Sequence, residues 1–341
     1  MLKLLQSIFR QTPESTSGHD EKLVALAIER VVDGTDPRLR ALSGYRKKLQ
    51  PAVVGALDYT MELVDGLPPS IALSPEQFSH DDYIRSFFVS PNHITEFLTR
   101  SPNLHGYLEK RRGLDPEFIH ALLVLTRVER KVLGVEMVGE LLTRDMQQVS
   151  VSFSNPRMSG VKDEEAKNRF EIKKNVFDYF VDQALKDIVS ARERERESKQ
   201  QRDLLARKRL TLKSGNWGMG SLLAGEGDKV VNSEKMEQEL NRLEDELQQH
   251  ETSPFTLDKY LESIVNSLND VRGRLWNEPV LVRLDRMGIK SEKESDSAAV
   301  SLQLNEYCSA NGARIIALPV YIPFGKIPSR PDPLSDVDRY L

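Results

Sequence analysis

Apolar residues recur every three or four positions in the segment from 21 to 117. Examples are Leu23, Leu26, Ala27, Val31, Leu49, Val53, Leu57, Met61 and Val64. This spacing places them on one stripe of a helix. A capping side chain followed by proline begins at Asp36, Ser74, Ser90 and Ser101, and such a pair is typical of a helix start. We therefore predict a helical region that includes short Ser-Pro-capped helices.

The period changes to two between 118 and 156, where Val149, Val151 and Phe153 alternate with polar residues. Alternation predicts strands with one buried face. We predict three antiparallel strands in this first group. The first strand is "FIHALLVLTRV", which could instead be a helix after Asp115-Pro116, but its closeness to the next strand favours a meander. Arg144-Asp145 marks a turn between the other two strands.

A second group of antiparallel strands is predicted from 276 to 324. Its alternating apolar residues are Val280, Val282, Leu284, Val300, Leu302 and Leu304, and its last strand, 313 to 322, is apolar on both faces. Asn311-Gly312 predicts a type I′ hairpin turn, which would place Cys308 opposite Ile315. Pro319 cannot donate to a strand ladder, so it should mark a bulge or an unpaired edge.

A long helix is predicted from about 163 to 212, and its composition changes half-way. Its first half carries an apolar seam of Phe177, Phe180, Val181, Ala184 and Ile188. Residues 186 to 213 carry ten basic and five acidic side chains, whereas residues 226 to 251 carry three basic and nine acidic ones. Met236, Leu240, Leu243 and Leu247 also follow a heptad spacing. The opposite charges and the heptad favour an antiparallel helical hairpin, the helical arm, over 163 to 275.

The tip of this arm, 214 to 232, is rich in glycine and carries large apolar side chains. Trp217, Met219, Leu222 and Leu223 are the candidate partner-binding residues, because apolar groups on a loop often make protein contacts. The ordinary alternative is a flexible connection between the two helices. The glycine spacing fits neither a dinucleotide fingerprint nor a phosphate-binding loop.

The first eleven residues form an amphipathic helical pattern, with residues 12 to 20 as a tether. Leu2, Leu4, Leu5, Ile8 and Phe9 lie on one side, and Lys3, Gln6 and Arg10 interrupt the run, so we expect no export signal. This helix could pack on the protein, dock on a partner or lie on a membrane surface. The segment 325 to 341 is rich in proline and then acidic, as in an extended tail.

Together these elements predict an α+β fold. Its parts are a helical amino-terminal region and two sequence-separated strand groups, with the long helical arm between them. Because each strand group is small on its own, we expect the two groups to form one antiparallel β-domain.

Composition and motifs narrow the chemistry. The net charge of −4 in 341 residues argues against a general nucleic-acid binder. One cysteine, Cys308, excludes an internal disulfide and favours the cytoplasm. The six histidines show no metal-ligand spacing and no GxSxG motif occurs, so we expect no cofactor and no metal. His120 and Arg144-Asp145 are the polar groups to inspect for a cleft.

The function expected from this pattern is a non-enzymatic adaptor or assembly factor. It would bind a protein partner through the helical arm, its tip or the first helix, and a homo-oligomer through the arm is also open. The first alternative is a peripheral membrane protein held by residues 1 to 11. The second is an enzyme whose site is dispersed along the chain and leaves no motif.

Overall fold

The structure is a computed structural model, and it describes residues 21–111, 113, 115–138, 141–213, 241–242, 256–291 and 299–328. The helices are α1 (Glu21–Gly34), α2 (Tyr45–Asp65), α3 (Asp82–Phe87), α4 (Pro91–Arg100), α5 (Pro102–Lys110), α6 (Glu165–Lys213), α7 (Leu257–Asn269) and α8 (Val271–Arg274). The strands are β1 (Ile71–Ala72), β2 (Phe118–Val138), β3 (Leu141–Lys162), β4 (Leu275–Leu284), β5 (Val300–Ser309) and β6 (Arg314–Pro323). Short 3₁₀ turns occupy Pro37–Ala41, Pro75–Ser79 and Phe324–Lys326. The predicted α+β class is confirmed.

The chain divides into two compact units. The sheet unit comprises Met1–Ala27, Ala52–Phe180 and Asn269–Leu341, and the helical unit comprises Ile28–Pro51 and Val181–Leu268. Helices α1, α2 and α6 contribute residues to both units.

The two strand groups form one sheet in the order β3-β2-β6-β5-β4, as the sequence predicts. They are joined by the antiparallel pairing of β2 with β6, from Phe118 opposite Pro323 to Leu125 opposite Ile316. The short strand β1 pairs parallel with β6. Strand β6 is therefore the centre of the sheet.

Strand β6 is buried on both faces, as its apolar sequence predicts. Every residue from Ile316 to Val320 is buried. Pairing with β5 ends at Ile316, and pairing with β1 begins at Val320. Pro319 lies between these two points, where β6 has neither β5 nor β1 as a partner. A residue without an N–H is therefore tolerated on that side of the strand. Pro319 is paired with Leu122 of β2 on its other side, so the predicted unpaired edge exists only on the side of β6 between β5 and β1.

The connection from β4 to β5 joins the two edges of this sheet. The N–H of Ser291 donates to the Arg283 carbonyl at 3.0 Å, so the connection folds back along the outer side of β4. On its other side, the N–H of Lys290 donates to the Val149 carbonyl of β3 at 2.8 Å, and that of Val151 donates to the Gly288 carbonyl at 2.8 Å. The sheet is therefore curled until β3 and β4 share one connecting segment, 288 to 291.

Helices α3, α4 and α5 pack against the concave face of the curled sheet. Their buried side chains are Ile84, Phe87, Phe88, Ile94, Leu98 and Leu104, and they share one core with Leu123, Leu125, Leu302, Leu304, Leu318 and Val320 of the strands. The ring centroid of Phe87 is 4.8 Å from that of Phe153 in β3. Phe97 and Tyr107 are partly buried against the same core. The aromatic residues of these helices therefore pack in the core or against it.

The prediction of three strands between 118 and 156 is wrong. The structure has two long strands, β2 and β3, paired from His120 opposite Lys162 to Val138 opposite Leu141, with register shifts at three places. Arg144 and Asp145 lie within β3 and not at a turn. Beyond Leu125, β2 has left β6 and is paired with β3, and Glu129, Arg130, Lys131 and Leu133 are exposed there. Polar residues are tolerated at such exposed positions. A polar stretch within the apolar alternation therefore did not mark the end of a strand.

The β5-β6 hairpin exists, but its predicted register is shifted by one residue. Tyr307 lies opposite Ile315 and Cys308 lies opposite Arg314. Gly312 has a φ of 79°, whereas Asn311 does not have a positive φ. The N–H of Gly312 donates to the Ser309 carbonyl at 2.9 Å. These features fit a three-residue loop in which glycine alone takes the left-handed conformation, in place of a type I′ turn.

The predicted caps begin helical turns at all four positions. The side chains of Asp36 and Ser90 accept backbone bonds from Arg38 and His93, respectively. Ser74 and Ser101 precede their turns without a side-chain cap bond. At these two positions the following proline favours the helical turn, because its fixed φ suits the first helical residue.

Two leucines of β2 offer a matched test of this fold. Leu123 is 0% exposed and Leu133 is 70% exposed. We expect Leu123→Ala to lower the free energy of unfolding by about 2 to 5 kcal/mol, because it leaves a cavity in the core. Leu133→Ala should change the same quantity by less than about 0.5 kcal/mol. Urea denaturation of both variants measures the difference, and equal losses would contradict this placement of β2.

Candidate functional site

Helix α6 changes character along its length. The predicted seam of Phe177, Phe180, Val181, Ala184 and Ile188 is buried. Beyond Ile188, none of the described side chains up to Leu210 is buried. We call Val189 to Lys213 the outer segment. At 1.5 Å per residue, it is roughly 37 Å of helix outside the core.

The outer segment has two distinct sides. Ala191, Glu195, Ser198, Leu205 and Ala206 are half-buried, and at about 100° per residue they fall within one arc of the helix. Val189, Leu204 and Leu210 lie on the other side and are 42%, 64% and 68% exposed. This second side therefore presents three separate apolar side chains to solvent among charged residues.

An ion pair between a buried carboxylate and a partly exposed arginine fixes the root of the outer segment within the helical unit. Nη2 of Arg192 lies 2.8 Å from Oδ2 of Asp36, whose side chain is 8% exposed. Arg38 donates to the same carboxylate from its backbone N–H and its guanidinium. The guanidinium of Arg192 also lies 4.3 Å above the centre of the Tyr260 ring of α7, a cation–π contact. The start of the outer segment is thus held by α7 and by the 3₁₀ turn that Asp36 caps.

These contacts alter the acidity of Asp36. The bonds from Arg38 are the main cause that lowers its pKa from 3.8 to about 2, and the charge of Arg192 adds to them. Asp36 is therefore ionised at neutral pH. The sequence identified Asp36 as a cap, but no local pattern indicated its pairing with Arg192.

A second set of charges lies at one end of the curled sheet. Oε2 of Glu306, whose side chain is 3% exposed, accepts from Nη2 of Arg127 at 2.9 Å. Arg314 lies 3.6 Å from the same oxygen and 3.3 Å from Glu278. Arg127 also contacts Glu129. Arg127 lies just beyond the last β2-β6 pair, so this pair fixes the root of the β2-β3 ribbon to β5.

Glu278, Glu306 and Cys308 bring three potential metal-ligating atoms within 4.8 Å of one another. Arg127 and Arg314 already neutralise the two carboxylates, and the indole N–H of Trp276 holds the pKa of Glu278 below its usual value. Burial raises the pKa of the Cys308 thiol, so it is protonated at neutral pH. This group is a poor cation site, because its donors are committed to the protein or protonated.

His120 lies in β2, half-buried beside Tyr321, and its Nδ1 has no hydrogen-bond partner. Burial lowers its pKa, against the opposing charges of Glu165 and Asp163. A cleft of about 210 Å³ is lined by Tyr107, Leu108, Arg111, Gly113, Pro116, Ile119, Asp163 and Phe324. Another of about 380 Å³ is lined by His93, Glu96, Phe97, Arg100, Ser101, Pro102, Asn103, Pro156, Arg157 and Met158. His120 lines neither cleft, so these clefts give no support to it as a catalytic group.

Several predicted site residues lie outside the described residues. They are Trp217, Met219, Leu222 and Leu223 of the tip and Leu2, Leu4, Leu5, Ile8 and Phe9 of the first helix. The acidic half of the predicted arm is described only at Asn241 and Arg242. The described part of the candidate surface is therefore the outer segment and its root.

Comparison of the chain with protein-family models, with curated proteins and with solved structures gives no match. Among the described helices, none combines the length and the apolar character needed to cross a membrane.

Asp36→Asn tests the root of the outer segment. The lowered pKa means that ionised Asp36 stabilises the fold fully above its ordinary pKa of 3.8, and that this stabilisation is lost as the pH falls through about 2. We expect the variant to lose about 2 kcal/mol of unfolding free energy at pH 7, and about half of that difference at pH 3. Urea midpoints at both pH values measure it.

Asp258→Asn is the matched control, because Asp258 pairs with Lys48 in an exposed ion pair of the same unit. Such pairs contribute less than about 1 kcal/mol. A pH-independent loss in Asp36→Asn would show that its charge is not the stabilising feature.

Arg127→Leu tests the second ion pair. Removal of one partner leaves the Glu306 carboxylate buried without its main counter-charge, so we expect a loss of about 3 to 5 kcal/mol in unfolding free energy. The double variant Arg127→Leu/Glu306→Leu should recover most of it, because two apolar groups can replace a buried pair. Thermal and urea unfolding compare the three proteins, and additive losses in the double variant would contradict a coupled pair.

Proposed function

We propose that this protein is a non-enzymatic adaptor or assembly factor that holds a protein partner on the outer segment of α6. The observation that carries the proposal is an exposed helical side, with Val189, Leu204 and Leu210, on a helix whose root is fixed by Asp36 and Arg192. A surface that is already ordered loses less entropy when a partner binds. A firmly held helix with apolar anchors suits this role.

Charge supports a protein partner more than nucleic acid. The segment "RERERE" at 192 to 197 alternates signs, and Lys199 lies 3.2 Å from Glu195 on the same helix. Interleaved carboxylates weaken the field that would attract a phosphate backbone. The predicted tip, with Trp217 and Met219, would extend the same contact beyond Lys213.

The proposed role places the protein in the cytoplasm, where its one thiol, Cys308, is kept reduced. A second candidate function is attachment to a membrane surface through residues 1 to 11, because their pattern is that of an amphipathic helix. Co-sedimentation with anionic liposomes, with and without this segment, separates the two candidates. Binding that depends on residues 1 to 11 would favour membrane attachment.

Leu204→Ser/Leu210→Ser tests the adaptor proposal. The double variant removes two apolar anchors without opening a core cavity, because both side chains are exposed. The tagged full-length protein is isolated gently from its own cells and analysed by native mass spectrometry. We expect a co-purified protein with the natural sequence and at least a tenfold weaker signal for it with the variant.

The matched control is Leu281→Ser/Met287→Ser, which alters two exposed apolar residues of the sheet unit. The control should keep the partner. A partner retained by both variants, or lost from both, would contradict the outer segment as the contact. A bound small molecule with no protein would favour the enzyme alternative.

A further inference from the structure

The exposed side of the outer segment carries a regular strip of seven residues. We call Val189, Glu193, Arg196, Gln200, Asp203, Arg207 and Leu210 the outer strip. They follow steps of four and three residues, and each is exposed. At about 100° of rotation per residue, the seven side chains lie within an arc of about 100° around the helix axis. The centre of this arc is about 140° away from the centre of the half-buried side. The strip is therefore a continuous exposed surface with the heptad spacing of a helix–helix seam, and its apolar residues lie at the two ends.

When two copies of this strip lie antiparallel, each charged residue of one copy faces an opposite charge of the other. It reads apolar, negative, positive, Gln, negative, positive, apolar from Val189 to Leu210. An antiparallel copy places Arg196 opposite Asp203 and Val189 opposite Leu210. The same symmetry brings Glu193 opposite Arg207, and Gln200 lies on the axis. A parallel copy would instead place each charge opposite the same charge, so the pattern selects the antiparallel orientation.

We propose that the partner of the outer strip is a second copy of this chain, bound antiparallel about a two-fold axis near Gln200. This inference rests on the proposed function, because it names the partner of the same helix. A two-fold axis uses each complementary pair twice. The contact is largely electrostatic, and salt weakens it by screening its exposed charges.

Charge balance argues for a second copy over the acidic segment 226 to 251 as the occupant. The outer strip contains two negative and two positive side chains, so its net charge is zero. A segment with nine acidic and three basic residues would place repulsive charges against Glu193 and Asp203. An antiparallel second copy of the strip places no repulsive charge against Glu193 or Asp203.

Charge reversal gives a test with an internal rescue. In Arg196→Asp, the introduced carboxylate faces Asp203 of the second copy, and in Asp203→Arg, the introduced guanidinium faces Arg196. The wild-type full chain should dimerise in low salt by analytical ultracentrifugation, with a Kd that rises with salt. Each single variant should raise that Kd at least tenfold. The double variant Arg196→Asp/Asp203→Arg should restore the wild-type value.

A mixture of the two single variants is the sharpest arm of the test. In their heterodimer every altered residue faces an opposite charge, so two proteins that are separately monomeric should associate when mixed. Arg194→Asp is the control, because it makes the same charge change two residues away, outside the strip. It should keep the wild-type Kd. Circular dichroism checks that all variants retain their helix content.

The inference is overturned if the wild type stays monomeric at high concentration in low salt. It is also overturned if the dimer tolerates both reversals, or if the mixed variants do not associate. If the dimer fails this test while native mass spectrometry finds a different protein lost with Leu204→Ser/Leu210→Ser, the proposed function survives with another partner. If both experiments fail, the outer segment is not a protein contact.

Discussion

The pairing of β2 with β6 is the constraint on which the sheet unit depends. Strands β2 and β3 alone would be an isolated hairpin, which is marginally stable in water. Strand β6 supplies a third neighbour that is apolar on both faces, so the concave side can be covered by α3 to α5. The other face contributes as well, because the hydroxyl of buried Tyr307 in β5 donates to the Leu63 carbonyl of α2. The chain therefore gains its core only when strands that are far apart in sequence come together.

The outer segment of α6 and the β2-β3 ribbon each begin at a buried carboxylate paired with arginine. Asp36 receives Arg192 where the outer segment of α6 starts, and Glu306 receives Arg127 where the β2-β3 ribbon leaves the sheet. Such pairs add little net stability when both members are desolvated, but removal of one member is costly. We interpret these two ion pairs as contacts that orient an element more than they stabilise the fold. They fix the direction of an element that has little core of its own at the point where it leaves the core.

Much of the fold follows from hydrophobic periodicity, and the failures have specific physical causes. The long helix, the two strand groups, the burial of the last strand on both faces and the interrupted pairing at Pro319 all rest on local patterns of residue type. The hairpin at Asn311-Gly312 differs from prediction by one residue, because glycine after asparagine suits both a two-residue and a three-residue loop. The Asp36-Arg192 pair could not be predicted, because its partners are 156 residues apart and each has an ordinary local role.

The shared segment 288 to 291 has a consequence for the solution behaviour of the protein. An open strand edge is a template on which other chains can add, and aggregation often begins there. Here the connecting segment occupies the free sides of both β3 and β4 where they meet, and Pro279 lies in the part of β4 that it does not reach. A proline on an edge strand cannot donate to an incoming strand. The curled sheet is thus protected against strand addition along these parts of its edges.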